Sequence, residues 1–201
     1  MTVAQACFVP IAAVSVWAET SFPVAKMKKI NKLTLCSMLA ALAVVVMLIA
    51  YFPYLTYGIP MAAGVFIMIA VIEAGKGWGM LTYVASAILC LFFAENEAKL
   101  IYTCFAGFYP VLKAVFEGIK SRIVEYVLKF ISFNVCVIGA YLAFAGVFGI
   151  DTKQGDFGIY GLLILLLLAN FVFFIYDVAL TRLASFYMWK LHPKISKFIK
   201  R

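Results

Sequence analysis

Six charged residues crowd one short stretch of an otherwise apolar chain. They are Lys113, Glu117, Lys120, Arg122, Glu125 and Lys129, within AGFYPVLKAVFEGIKSRIVEYVLKFISFN at 106–134. Carboxylates and ammonium groups at this density could hold an ion, pair with one another in a solvated turn, or present a surface to another protein. Their spacing narrows the choice. Glu125 and Lys129 stand four apart with the acid first, the favourable order for a helical pair; Lys113 and Glu117 stand four apart in the reverse order. With a turn at Gly118–Arg122, Lys113 lies about 8 Å up one helix and Lys129 about 10 Å up the next. In each helix the lysine is the deeper member, so its stem can snorkel past the carboxylate to water. The stretch reads as a hairpin at headgroup depth and not as a midplane ion site. Two uses stay open for Lys113, Glu117, Glu125 and Lys129: a solvated, self-paired loop, or a docking surface for a cytoplasmic or membrane partner.

Other polar groups are set deeper. Asn134 falls about 16 Å above that turn, and Asn170 about 18 Å below the start of the last apolar segment, both near a midplane. An amide in hydrocarbon needs a partner, so both are expected to face the interior, as an interhelical hydrogen bond or as a solute contact. Asp177 is expected to pair with Arg182 or across helices at the inner rim. No span carries a carboxylate at its centre, so a proton relay is not expected.

A second concentration lies between apolar runs. YFPYLTYG brings Tyr51, Phe52, Tyr54 and Tyr57, and FFAENEAKLIY brings Glu95, Asn96, Glu97, Lys99 and Tyr102. Aromatics at such a place either anchor at the lipid interface or, with acids, an amide and a lysine, line a cup for a small polar, ring-containing solute. On the second reading the solute-binding set is Tyr51, Tyr54, Tyr57, Glu95, Asn96, Tyr102, Asn134 and Asn170. Gly107 and Pro110 interrupt the segment that follows, and a Pro kink in a membrane helix either borders a cavity or is structural.

The elements that must position these residues are apolar helices. The 201 residues are 66% hydrophobic and 13% charged, and mean hydropathy is +1.06. A soluble domain carries roughly 25% charged residues. Near-continuous runs of about 20 residues point to an all-α integral membrane protein and exclude the short alternating strands of an outer-membrane barrel. Six segments are expected near 33–52, 57–73, 78–94, 100–117, 123–148 and 158–181. The bundle therefore has six transmembrane helices, separated by Pro/Gly or polar breaks at YFPYLTYGIP, EAGKGWG, AENEAK and GIDTKQGDFG.

Charge sets the orientation. With the N-terminus inside, fifteen of the 17 Lys and Arg residues lie on the inner face, and only Lys99 and Lys153 lie outside. That bias places both termini in the cytoplasm of a bacterial-type plasma membrane. It also accounts for the net charge of +8 without nucleic acid. The five cysteines form no CxxC and the only histidine, His192, sits in the basic tail, so no metal or cofactor is expected. No nucleophile–base set, HExxH or pair of acids within a span suggests an enzyme.

Residues 1–26 fit this scheme poorly. ACFVPIAAVSVWA is apolar but 13 residues long and contains Pro10, too short to span. MKKINKLTL at Met27 reads as a start, a basic leader running into a span. The expected organisation is an upstream extension (1–26), a six-helix domain (27–184) and a basic cytoplasmic tail (185–201).

From Met27, six spans with both ends inside and LCSMLAALAVVVM opening the first span resemble the substrate-binding S component of energy-coupling factor transporters. In that family a small six-helix protein captures a vitamin or related micronutrient near the outer face. A transmembrane coupling subunit and two ATPases energise uptake. The resemblance implies that Ser37 and Ala41, a small-xxx-small pair with Ala40 and Ala43 beside it, contact the coupling subunit. Small residues one turn apart let another helix approach closely. The alternative is a structural or assembly protein of the membrane that transports nothing.

Overall fold

The computed structural model describes residues 28–52, 55–119, 121–148 and 158–190. Among them there is no strand, and every element is a helix. Helix α1 is Lys29–Leu48, extended by a 3-10 turn to Tyr51, α2 is Gly58–Ala74 and α3 is Lys76–Phe93. The fourth rod is composite: α4 (Asn96–Ile101), a π-helical segment (Tyr102–Ala106) and α5 (Tyr109–Phe116). Two long helices follow, α6 (Arg122–Phe148) and α7 (Gly158–Lys190).

Four helical runs, Lys29–Tyr51, Lys76–Phe93, Asn96–Phe116 and Leu166–Lys190, are long and apolar enough to cross a membrane. Helix α2, at 17 residues, is apolar but shorter. Large apolar side chains such as Ile30, Phe92, Leu167 and Trp189 point outwards.

Five of the six expected segments start and stop within four residues of the observed helices. The sixth does not, because α7 runs nine residues past the expected end at 181. Thr181 and Arg182 lower the hydropathy there, yet Phe173, Tyr176, Leu180, Ala184 and Tyr187 keep a buried stripe at steps of three and four. The expected boundary at 184/185 therefore falls inside a helix. The extension 1–26, Met27 and the tail beyond Lys190 lie outside the described residues.

Contacts between helix ends show how the rods alternate. Lys32 Nζ donates to Ala74 O (3.3 Å) and Tyr187 OH to Glu73 Oε1 (2.8 Å), gathering the start of α1, the end of α2 and the end of α7. At the opposite end Tyr51 OH donates to Phe93 O and Tyr57 OH to Glu97 Oε2, both at 3.0 Å. Successive rods thus run up and down. Gly75, at φ +101°, makes the one-residue reversal between α2 and α3, a conformation that glycine adopts without Cβ strain.

Of the four apolar clusters among the described residues, two frame the polar groups. Around α1, α2, α3 and α4 the core is built from small residues, Ala43, Ala50, Ala63, Ala87, Ala94 and Ala98, which let the helices approach closely. Between α5, α6 and α7 it is aromatic: Phe133 and Phe173 stack with centroids 4.5 Å apart, and Phe105 meets both edge-on. The aromatic core ends where the charges begin.

Candidate functional site

Tyr109, Lys113 and Glu117 are four apart and share one face of the helix end formed by α5 and its C-cap. Glu125 and Lys129 do the same on α6, and α7 supplies Asp177 between them. Lys113 Nζ lies 3.0 Å from Glu117 Oε1, and Lys129 Nζ lies 2.6 Å from Glu125 Oε1 and 3.2 Å from Glu117 Oε1. Lys113 also pairs with Asp177 Oδ1, whose second oxygen is 3.6 Å from Lys129. Tyr109 OH donates to the same Oδ1 at 2.5 Å.

Both four-residue pairs form as their spacing predicts. The solvation does not. Lys113, Glu117, Glu125 and Lys129 are 2, 2, 5 and 1% exposed, and Asp177 is 7% exposed. They form neither a solvated loop nor an accessible docking surface. The physical reason is that Asp177 gives the lysines an inward counter-charge, so their stems turn into the bundle instead of snorkelling to water. Of the two partners expected for Asp177, it takes the cross-helix one. Lys120 and the Arg122 side chain lie outside the described residues.

The residues expected to line an outer cup do not converge. Tyr102 is fully buried in the small-residue core, 2.7 Å from Ser86 Oγ, because it lies one turn past Ala98 on the inward face of the rod. It is not part of a rim. Tyr51 and Tyr57 are 61 and 63% exposed. The Tyr57 phenol is held above its ordinary range by its hydrogen bond to Glu97 and by that carboxylate's charge. Asn96 is exposed at the first turn of α4, and Glu95 before it is half-buried. Tyr54 lies outside the described residues.

Asn134 and Asn170 do face each other. Each Nδ2 donates to the other's Oδ1 at 3.1 Å and to a carbonyl four residues back, Phe130 O or Leu166 O, at 2.8 Å. The pair satisfies its amide hydrogens as an interhelical clasp, the first of the two roles expected for it.

On α1, Ser37 and Ala41 point out of the bundle, whereas Ala40 and Ala43 are buried in it. Only Ser37 and Ala41 remain as an outward small-residue face, and Ala40 is spent on internal packing. Ser37 Oγ donates to Thr34 O, so the hydroxyl is satisfied within its own helix.

The break at Gly107–Pro110 is a π segment, closed by Gly107 N–H donating to Tyr102 O (2.8 Å). Pro110 has no N–H for Ala106 O, so Tyr176 OH donates to that carbonyl instead (3.2 Å). Gly64 makes room, since a Cβ there would overlap both Ala106 O and the Tyr176 hydroxyl. A groove of about 560 Å³ opens beside this joint between α1, α2 and α7. It is lined by apolar side chains, among them Val46, Met61, Phe66, Val172 and Leu183, and by none of the residues expected to bind a solute.

Sequence reasoning missed Tyr109 as the head of the charged stripe, a role its position four residues before Lys113 signals. It also missed Glu73, buried at the end of α2 and bonded by Tyr187 across 114 residues, which no local spacing signals. No protein-family model matches the chain, and no curated protein or solved structure matches it either.

Proposed function

We propose that the chain is a six-span membrane protein with both ends in the cytoplasm, acting as the solute-capturing subunit of a micronutrient uptake system. The observation that supports it is the difference between the two ends of the bundle. At one end five ionisable side chains and Tyr109 are locked together, almost entirely out of water. At the other, Tyr51, Tyr57, Asn96 and Glu97 stay exposed around the joints between α1, α2, α3 and α4. Among the described residues Lys29, Lys32, Lys76 and Lys190 lie towards the locked end, and that bias supports a cytoplasmic side for it. A bundle rigid inside and polar outside suits capture from the outer face. The chain carries no Walker motif, so energy has to come from partner subunits, and the outward Ser37/Ala41 face of α1 is where a coupling helix fits.

A second reading, a structural or assembly protein of the membrane, is favoured by the Asn134–Asn170 clasp, which uses up the two deep amides. One experiment separates the two. The chain is purified in mild detergent and denatured, and the released small molecules are compared by mass spectrometry with a mock preparation. A stoichiometric vitamin-like compound is expected, and adding it back raises the melting temperature of the protein. If nothing is released and no micronutrient protects the protein, the capture reading fails and the structural one stands.

A further inference from the structure

The buried cluster holds two cations, Lys113 and Lys129, against three carboxyl groups, Glu117, Glu125 and Asp177. Among the described residues, full ionisation would leave this cluster one negative charge too many in a site almost closed to water. An uncompensated buried charge is strongly unfavourable, and such a group is neutralised instead.

Geometry says which carboxyl is the surplus one. Asp177 is matched: Tyr109 and Lys113 both donate to its Oδ1, and Lys129 stands by its Oδ2. Glu125 has the closest approach of the three to Lys129, 2.6 Å. Glu117 is left with a share of both lysines, at 3.0 and 3.2 Å, all of it through Oε1. Its Oε2 is buried and makes no hydrogen bond. Both ammonium groups lie on Oε1 and none on Oε2, so Oε2 is the oxygen left open to a proton.

We infer that Glu117 is a proton-binding site: its Oε2 carries a proton that brings the cluster to neutrality and locks the α5–α6 turn to α7. The groups that face it are Tyr109 and Lys113 on α5, Glu125 and Lys129 on α6, and Asp177 on α7. Lys76, at the start of α3, approaches the adjoining Gly118. The nearest other buried carboxyl at this end is Glu73 of α2, engaged by Tyr187. Glu117 stands just past the apolar run that ends at Phe116. Burial raises its carboxyl and outweighs the pull of Lys113 and Lys129 in the other direction.

The sign of the pH effect follows. A carboxyl that holds its proton more tightly folded than unfolded contributes stability at low pH and loses it as pH rises through the folded pKa. The parent should therefore weaken on the alkaline side. E117Q, which copies the neutral acid with its amide nitrogen at the free position, should not.

The test uses the full chain in detergent. Infrared spectroscopy at pH 7 should show a protonated carboxyl band in the parent that E117Q lacks. The melting temperature of E117Q at pH 7 should lie within ~2 °C of the parent's, and E117Q should exceed the parent at alkaline pH. K129M, which leaves one cation against three carboxyls, should melt far lower. The inference is overturned if the parent shows no such band, or if E117Q falls as far as K129M. Absence of the band in the parent overturns the inference even if no variant folds, and its loss in E117Q is what assigns the proton to Glu117 and not to Glu73. A loss of the site leaves the capture reading untouched, because no solute is involved.

Discussion

At the scale of single residues the bundle is decided by polar groups that have no water to turn to. The Asn134–Asn170 clasp is the simplest case. Each amide gives both its hydrogens to protein oxygens, one across the helix pair and one four residues back. Replacing Asn134 by Leu leaves Asn170 with only its own-helix bond, and should cost about 1–2 kcal/mol, the range of such bonds between membrane helices. Replacing both by Leu removes the orphan and should return most of that loss. Unfolding of the four proteins in a double-mutant cycle checks it; additive losses would mean that the two amides do not act as a pair. Residues of this kind were the legible ones, since an amide inside an apolar run has few places to go. The charged stretch was half legible. Spacing gave the Lys113–Glu117 and Glu125–Lys129 pairs, but the depth of water around them depends on Asp177, 48 residues beyond Lys129 in the chain, and no local pattern reports that.

At the scale of elements, the joint in the fourth rod shows how a helix interruption is paired with its neighbours. Pro110 frees Ala106 O, Tyr176 from α7 caps it, and Gly64 on α2 lets both come close. Tyr176→Phe should therefore leave a buried carbonyl bare and cost about 1–3 kcal/mol. In a Pro110→Ala background an N–H becomes available four residues on, so the same Tyr176→Phe change should cost half as much or less. Denaturant unfolding of the single and double variants measures the coupling, and equal costs in both backgrounds would show that Pro110 is not what makes Tyr176 necessary. The sequence marks this place by Gly107 and Pro110, yet the π form and its cap come from packing. Tyr102 was misplaced for a related reason. Its rod turns it into the alanine core, where Ser86 takes its hydroxyl, and an aromatic at the end of an apolar run looks the same whether it points at lipid or at a neighbour.

At the scale of the whole molecule, the number of helices is legible because long apolar runs have few alternatives. Their mutual arrangement is not. An apolar stripe points a helix to the core, but α2 is apolar all round, so its sequence gives no direction. What orders the bundle from outside is charge. Its two ends carry distinct marks: Tyr57 and Glu97 at one, Tyr187 and Glu73 at the other. The proposed six-span arrangement turns these into sides of a membrane. Cysteines introduced at Glu97 and Lys190, both exposed, should then react differently with an impermeant maleimide. Glu97→Cys should label in intact cells, and Lys190→Cys only once the membrane is opened. Reversed labelling would set the locked charge cluster outside and put the Tyr57–Glu97 rim in the cytoplasm, where it could not capture a nutrient from the medium. Labelling of both from one side would break the alternation of the rods across the bilayer. Because the charge bias predicts the first pattern and capture requires it, orientation is the point on which the fold and the proposed function depend together.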